Sequence, residues 1–362
     1  MGIKYSILLI VLGLSVSAFT QTSSSFVPPQ IIEPNACSII LMPDIQSYSK
    51  FGRNHGITEL MTAWIADNLE ALNVIAVMQN GDLVEQNGID KPDGVNGDQT
   101  GAQQWRSVSR AFERLDGHVP YILATGNHDY GIANAENRDT QFPKYFPVDR
   151  NSAWQGVLVE CCPNRIGEKT LENAAYEFEF PQGDKLLIVS LEFAPSDPVL
   201  AWAKTLISSD AYKDSSVILM THSFIKSIAS GNARVVKENY KIKDVNYGQA
   251  IWDKLVFPSD NIRLVICGHI AGVNDPKENI GFRVDKNYLG KPVSQMLFNA
   301  QTDGGGWYGN GGDGWLRILE FSEDSKRVSV RTFSPLFAIS PSTRHLAWRT
   351  ESYNEFVFQF GE

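Results

Sequence analysis

The 362-residue sequence lacks the local signatures of several enzyme classes. It has no Gly-x-Ser-x-Gly turn, which presents the nucleophilic serine of many hydrolases, and no Gly-rich loop of the P-loop type. It also has no Cys-x-x-Cys pair, the usual basis of a thiolate zinc site. The sequence therefore does not indicate a serine hydrolase of that type, a P-loop nucleotide hydrolase or a zinc-finger protein.

Positive charge is also scarce. The chain has 32 Lys and Arg against 41 Asp and Glu, a net charge of −9, and no block of basic residues. Neutralising a nucleic-acid backbone requires clustered Lys and Arg, so we expect no binding to a nucleic-acid polymer. Small phosphate esters held through a metal ion remain compatible with this charge. The hydrophobic content of 43% predicts a globular chain with a large core.

Long apolar runs are missing except near the N-terminus. Lys4 precedes the apolar segment Ile7–Val16, and small residues follow at Ser17 and Ala18. This order predicts a secretory signal peptide over residues 1–20, a spacer over 21–37 and one domain over 38–362. The run is short for a bilayer span, so we expect no stable membrane insertion after cleavage and a secreted or periplasmic protein. An uncleaved anchor is the alternative, and the oligomeric state is not predicted.

The cysteines are few, and their pairing stays open. Export would place them in an oxidising compartment. A bridge from Cys37 to Cys161 or Cys162 is one alternative, and a strained vicinal bridge between Cys161 and Cys162 is another. Cys267 is predicted to be a buried apolar residue inside a strand.

Helical and strand patterns alternate through the first two-thirds of the chain. The order predicts parallel strands joined by right-handed crossovers. The predicted helices are Thr58–Leu72, Gln103–Leu115, Val199–Ile207 and Tyr247–Val256. The predicted strands are Ser38–Met42, Val74–Gln79, Tyr121–Thr125, Ala175–Phe180, Lys185–Phe193, Val217–Met220 and Arg263–Cys267. Three later strands, Pro292–Gln301, Gly314–Phe321 and Arg327–Phe333, suggest an antiparallel addition to a second sheet. Lys91–Gly101 and Gly131–Lys169 are predicted to be long loops over a cleft.

Five short polar blocks each follow an apolar, strand-like run. They are Pro43-Asp44-Ile45-Gln46, Gly81-Asp82-Leu83-Val84-Glu85, Gly126-Asn127-His128-Asp129, Thr221-His222-Ser223 and Gly268-His269-Ile270. Each block alone is weak, because a polar residue after a strand is more often a turn. Together they place oxygen and imidazole ligands at the ends of several strands, which is where α/β sheets build metal sites. The joint pattern therefore predicts a metal centre.

The blocks support individual roles. The Asp82 carboxylate can bridge two cations about 4 Å apart, the geometry used for in-line phosphoryl displacement. Asn127 offers a neutral oxygen, and His222 and His269 offer imidazole nitrogens. A histidine held by a carboxylate can donate a proton to a leaving oxygen, which suggests that role for His128 with Asp129 beside it.

With these blocks in this order, the chain resembles the calcineurin-like metallophosphoesterase superfamily from about Ser38 to Phe333. The resemblance implies an α/β fold of two packed mixed β-sheets flanked by helices, a four-layer α-β-β-α sandwich. It also implies up to two divalent metal ions per chain (Mn, Mg, Ca, Fe or Zn). Position by position, Asp82 resembles the bridging ligand, and Asn127, His222 and His269 resemble the rest of the second-metal set. His128 resembles the proton donor and Asp129 its orienting partner.

Two positions depart from the family pattern. Gln46 stands where the family usually has a histidine, and Ala271 stands where it has its final histidine. Both imidazoles belong to the first metal in the family, so that site retains only Asp44, Asp82 and the Gln46 carbonyl. Ligation by oxygen alone favours harder ions such as Mg²⁺, Mn²⁺ or Ca²⁺ over zinc.

The sequence thus predicts metal-dependent hydrolysis of phosphoric mono- or diesters, in which a metal-activated hydroxide attacks phosphorus and His128 protonates the leaving oxygen. The alternative is a non-catalytic phosphate- or glycan-binding protein on the same scaffold. The His128-Asp129 pair favours the enzyme, since a binding protein needs no proton donor. Candidate contacts to the phosphate-ester substrate are Arg53, His55, Asn299 and Gln301. The segment around Trp307 is either an aromatic platform or a flexible turn.

Overall fold

The computed structural model describes residues 26–361. The signal peptide predicted over residues 1–20 lies outside them. In the described part of the chain, no helix is both long and apolar enough to cross a membrane. The helices are α1 (Gln46–Ser49), α2 (His55–Asp67), α3 (Gly101–Phe112), α4 (Phe142–Tyr145), α5 (Asp197–Ile207), α6 (Gly248–Ile251) and α7 (Pro335–Ala338).

Within residues 26–361, fourteen strands build the two sheets. They are β1 (Cys37–Met42), β2 (Val74–Gln79), β3 (Tyr121–Leu123), β4 (Leu158–Pro163), β5 (Lys169–Glu179), β6 (Lys185–Ser190), β7 (Ser216–Met220), β8 (Ile262–Cys267), β9 (Ile280–Lys286), β10 (Pro292–Phe298), β11 (Leu316–Phe321), β12 (Arg327–Phe333), β13 (Trp348–Arg349) and β14 (Phe356–Gln359).

Each sheet has seven strands and is mixed. The first runs β13-β12-β11-β1-β2-β3, with β14 also paired to β12, and the second runs β4-β5-β6-β7-β8-β10-β9. The strands β1, β2 and β3 are parallel, as are β6, β7, β8 and β10. The outer strands pair antiparallel.

Alternating residues of the second sheet belong to two different cores, which shows how the layers stack. On β7, Ile218 and Met220 join the core shared with the first sheet. Val217 and Leu219 instead pack in the core that contains α5 residues such as Ala203. Because successive side chains of a strand point to opposite faces, one face of this sheet covers the first sheet and the other covers helices. The predicted fold of two packed mixed sheets flanked by helices is confirmed.

Helix boundaries differ from the predictions for local reasons. The helix predicted from Thr58 begins at His55 and ends at Asp67. Helix α3 begins before Gln103 because Thr100 and Gln103 form a reciprocal capping box. The helix predicted over Tyr247–Val256 is a short α-helix that continues as a π-helical turn at Trp252–Val256.

Two predictions about the sheets were wrong. Strands β11 and β12 are antiparallel as expected, but they extend the first sheet through pairing of β11 with β1, not the second sheet. Strand β10 is the one that joins the second sheet, and it pairs parallel to β8. The predicted loop Gly131–Lys169 contains β4, which pairs with β5. Pairing partners of edge strands depend on long-range packing, which local patterns do not carry.

The four cysteines are buried and form no bridge with one another. Cys161 and Cys162 lie on opposite faces of β4, since they belong to different hydrophobic cores. Residues 26–36, part of the spacer predicted over 21–37, lie against the first sheet. The amides of Ile32 and Glu33 donate to Glu320 at 2.9 and 3.0 Å.

Candidate metal centre and active site

Five polar residues from separate parts of the sequence meet where the two sheets face each other. Each follows the carboxyl end of a strand, and the five are Asp44, Asp82, Asn127, His222 and His269. Ligand atoms of Asp82, His222 and His269 all lie within 4.8 Å of one another. Parallel strands end at the same edge of a sheet, which explains why segments so distant in sequence converge.

Asp82 lies at the centre of the cluster and is buried. Its Oδ1 accepts the backbone N–H of His128 at 3.0 Å, and its Oδ2 accepts the Gln46 side-chain amide at 3.1 Å. Nε2 of His222 also lies 3.1 Å from Oδ2. Burial alone would raise the pKa of Asp82, but the positive charges of His222 and His128 hold it well below its usual range. The carboxylate is therefore ionised.

The cluster attracts positive charge strongly. Burial alone would lower the pKa of His222, but Asp82 and Asp44 raise it to about 10. Burial raises the pKa of Asp44 to about 8 although the charge of His222 opposes the rise. Asp44 accepts the backbone N–H of His269 at 3.0 Å and the Asn299 side-chain amide at 2.8 Å. A cation that enters this cluster would replace the proton of His222, since metal binding releases ligand protons.

Two buried amide oxygens beside Asp82 accept no hydrogen bond from residues 26–361. They are Oε1 of Gln46 and Oδ1 of Asn127. Leaving a buried acceptor without a donor costs about 1–3 kcal/mol, so such atoms require an explanation. Divalent cations at the two predicted positions would satisfy them. The donor set fits such an ion, because it combines a carboxylate, an amide oxygen and two imidazoles.

The support for the two predicted metal positions is unequal. The second position has three converging ligands in the described part of the chain, Asp82, His222 and His269. Asn127 adds a side-chain oxygen that accepts no hydrogen bond there. The first position has Asp44, Asp82 and the free Gln46 oxygen, with no imidazole. The residues present therefore fit one well-built site and one weaker, oxygen-lined site.

Glycines in three of the motifs make room for the ligands of other motifs. A Cβ on Gly81 would lie 2.4 Å from Nδ1 of His222, and one on Gly126 would lie 2.1 Å from Oδ1 of Asp82. A Cβ on Gly268 would likewise lie 2.1 Å from Oδ1 of Asp44. Gly81 also has a φ of 106°, which L side chains rarely adopt. These glycines let the ligands of one block approach the backbone of another.

His128 lies next to Asp82, and its ring is held by Glu85. Nδ1 of His128 donates to the Glu85 carbonyl oxygen at 2.7 Å, because a carbonyl only accepts. Oε1 of Glu85 lies 3.8 Å from the same nitrogen. Burial alone would lower the pKa of His128, but the charges of Glu85 and Asp82 raise it above its usual value.

Asp129 has other contacts than those predicted for an orienting partner of His128. Its oxygens accept the backbone N–H groups of Gly126, Leu83 and Val84 at 2.7, 3.2 and 3.0 Å. Burial and the charge of Asp82 raise the pKa of Asp129 to about 7, although these three hydrogen bonds act to lower it. Asp129 therefore ties the His128 turn to the Asp82 turn. The contacts place Glu85, not Asp129, against the His128 ring.

The four substrate-contact candidates are held in different ways. Asn299 is buried, and it donates to Asp44 while its own oxygen accepts the backbone amide of Gln301 at 3.0 Å. Arg53 donates to the Tyr308 carbonyl at 2.8 Å. Nε2 of His55 contacts the Ser49 carbonyl at 2.9 Å. Asn299 and Gln301 thus belong to the surroundings of Asp44, whereas Arg53 and His55 bind backbone carbonyls.

The glycine-rich segment Gly304–Gly314 places the Trp307 ring over the buried ammonium of Lys50. The ammonium of Lys50 lies 3.0 Å from the centre of the Trp307 ring and has no hydrogen-bond partner in the described residues. The Trp307 ring nitrogen donates to the Val95 carbonyl at 3.1 Å, so this loop meets the predicted loop Lys91–Gly101. Tyr308 remains 59% exposed. These contacts fix the position of the Trp307 ring, while Tyr308 beside it faces solvent.

Sequence reasoning missed three residues of the site. Glu238 contacts His269, Asn80 accepts Nδ1 of His222 through its carbonyl at 2.8 Å, and Glu85 holds His128. Asn80 directly precedes the block Gly81-Asp82-Leu83-Val84-Glu85, and Glu85 ends it. Their positions in the sequence could therefore have indicated that they belong to the site. Glu238 lies in an irregular segment between β7 and α6, where no pattern marks it.

Much of the chain matches one known protein family. Residues 38–272 match the family described as calcineurin-like phosphoesterase, and the chain belongs to that family. The chain is 27% identical over 302 residues to the uncharacterised protein YvnB of Bacillus subtilis (strain 168), with 82% of this chain aligned. It spans about a fifth of the length of that relative (20%). GAP50, described as the anchor in the inner membrane complex of Plasmodium, has a TM-score of 0.47 and 11% identity, covering 89% of this chain and 90% of its own.

Proposed function

We propose that the protein hydrolyses phosphoric mono- or diesters at the cluster around Asp82 with the help of divalent metal ions. Its family is that of phosphoesterases, which act on phosphate esters. The observation that carries the proposal is the convergence of Asp82, His222 and His269, with two buried amide oxygens beside them, Gln46 Oε1 and Asn127 Oδ1, that accept no hydrogen bond from residues 26–361.

The ligand residues would hold the ions in a fixed place between the sheets. Asp82, Asn127, His222 and His269 would form the tighter site, and Asp44, Gln46 and Asp82 the weaker one. When bound there, divalent ions supply Lewis acidity toward phosphoryl oxygens and water. The backbone bonds to Asp44 and Asp82 keep both carboxylates oriented before substrate arrives. Such preorganisation lowers the reorganisation needed during the reaction.

His128 would protonate the leaving oxygen. Its Nδ1 donates to the Glu85 carbonyl. Burial alone would lower the pKa of His128, but the charges of Glu85 and Asp82 raise it above its usual value, which favours a proton on Nε2 as well. Nε2 makes no hydrogen bond within residues 26–361, so that proton is available to a substrate. A positioned general acid contributes about 10²–10⁴-fold to rate.

The test is an assay of p-nitrophenyl phosphate and bis(p-nitrophenyl) phosphate with Mn²⁺, Mg²⁺ or Ca²⁺ added singly. We expect turnover that disappears after chelation and returns with the ion. Binding of inorganic phosphate without turnover of either ester under any ion would contradict the proposal and favour a non-catalytic binding protein.

The proposal includes export of the protein, because the N-terminal residues have the order of a signal peptide. N-terminal sequencing of protein recovered from the culture fluid or periplasm should give a start between residues 19 and 21. Full-length protein confined to the cytoplasm would contradict this part alone.

A further inference from the structure

The long irregular segment between β7 and α6 carries a carboxylate to the metal-ligand cluster. Oε1 of Glu238 lies 2.7 Å from Nε2 of His269, and Oε2 accepts the hydroxyl of Ser223 at 2.9 Å. The side chains of His269 and Glu238 are 11% and 14% exposed. The carboxylate is therefore held at both oxygens in a mostly buried place.

This contact determines which ring nitrogen of His269 carries the proton. An ionised carboxylate only accepts hydrogen bonds, so Nε2 must be the donor. In a neutral imidazole the lone pair then lies on Nδ1. Nδ1 is the nitrogen that remains available to join Asp82 and His222, the other members of the converging group.

The rest of the His269 residue is also fixed. Its backbone has a φ of 75° and its N–H donates to Asp44. Its ring packs against Phe193 and Tyr240, with centroids 5.9 and 6.2 Å apart. Glu238 is the polar partner of Nε2 among residues 26–361. Packing alone would permit either tautomer, so this contact decides between them.

We propose that Glu238 is a positioning residue for the metal centre, which fixes the tautomer and orientation of His269 so that Nδ1 is presented as the ligand atom. This inference rests on the proposed function, since it requires a metal at the cluster. Carboxylates that hold a ligating histidine in this way strengthen metal binding, and their loss typically lowers affinity about 10–100-fold.

The experiment compares the wild type with Glu238→Ala, Glu238→Gln and the control Lys237→Gln, a neighbouring change at an exposed position. Chelated protein is titrated with Mn²⁺ and with Zn²⁺ by calorimetry, and the thermal midpoint of the metal-free protein is measured. Ring nitrogen NMR shifts of His269 are recorded with and without Zn²⁺.

We expect a 10–100-fold weaker tight site in Glu238→Ala, a smaller loss in Glu238→Gln, which keeps an acceptor oxygen, and none in Lys237→Gln. The His269 spectrum of the wild type should show a protonated Nε2, with Zn²⁺ shifting Nδ1. Equal affinities in the wild type and both Glu238 variants, with Zn²⁺ bound through Nε2, would overturn the inference. A wild type that binds neither ion would instead overturn the proposed function, so the two failures are distinguishable.

Discussion

Gly126 and Asp82 are so close that no other residue fits at position 126 without moving the carboxylate. A Cβ there would lie 2.1 Å from Oδ1 of Asp82 and 2.4 Å from its backbone nitrogen. The neighbouring residues Asn127 and His128 therefore reach the cluster only because the turn before them has no side chain. The position of the Asp82 carboxylate therefore depends on a glycine that belongs to a different sequence motif.

Gly126→Ala should abolish tight metal binding and reduce turnover at least about 100-fold, because Asp82 must shift away from its ligand position. Metal content after dialysis and turnover at saturating Mn²⁺ check this. The control is Gly56→Ala, since a Cβ on Gly56 meets nothing within 4 Å in helix α2. It should leave activity unchanged and, as alanine favours helix, should not lower stability. Normal metal content in Gly126→Ala would show that the site tolerates the shift.

Asp82→Asn should abolish turnover while the fold survives. The substitution removes charge from the one side chain expected to serve both metal positions. In the wild type, Oδ1 accepts the backbone N–H of His128 and Oδ2 accepts the Gln46 amide. Asparagine replaces one of these two acceptor oxygens by an NH₂ group. The fold should persist, since Asp82 has a φ of 54° and asparagine adopts this conformation readily. Turnover within about tenfold of the wild type at saturating metal would mean that Asp82 is not the bridging ligand.

His128→Ala should lower kcat about 10²–10⁴-fold for esters with poor leaving groups. The loss should be smaller for nitrophenyl esters, because their leaving oxygens need no protonation. Parallel kcat measurements on an alkyl and a nitrophenyl ester check the difference. An equal loss for both would indicate that His128 positions phosphate and does not donate the proton.

The wild type should keep close to one ion per chain after extensive dialysis. Gln46 and Ala271 leave the first position without imidazole ligands, whereas His222 and His269 converge with Asp82 at the other. Activity should fall on dialysis and rise again with Mn²⁺, Mg²⁺ or Ca²⁺. The double variant Gln46→His with Ala271→His should retain a second ion. Elemental analysis that finds two ions in the dialysed wild type would contradict this, with His55 and Asn274 the first residues to examine.

Lys50→Met should raise the free energy of unfolding by about 1–2 kcal/mol at pH 7, because it removes a buried ammonium without a hydrogen-bond partner. Burial lowers the pKa of Lys50 to about 8 from 10.5, against the opposing charge of Glu85. Between these pH values the unfolded chain binds a proton that the folded chain does not, so wild-type stability should rise with pH there.

Denaturant titrations at pH 7, 8 and 10 check both the difference and its pH dependence. The variant should lack the rise between pH 8 and 10 that Lys50 contributes to the wild type. Lys237→Met, at an exposed position, is the control and should change neither quantity. A Lys50→Met variant less stable than the wild type would show that the contact between the ammonium and the Trp307 ring outweighs the cost of burial.

Much of the site was readable from the order of the polar blocks. The placement of Asp82, His222 and His269 in one cluster follows from strands β2, β7 and β8, whose apolar runs were identified nearly to the residue. The family match confirms the predicted family, and the two seven-stranded sheets confirm the predicted fold. Local patterns succeeded here because a buried parallel strand and the polar residue after it are adjacent in sequence.

The sequence by itself determined the family, the alternation of strands and helices and the identity of the residues at the strand ends. Only the tertiary structure decided that β11 joins β1, that Glu85 holds the ring of His128, and that Glu238 reaches His269. These relations join segments that no local periodicity connects. They depend on which surfaces the packed sheets bring into contact, and that choice is made by burial and hydrogen bonding over the whole chain.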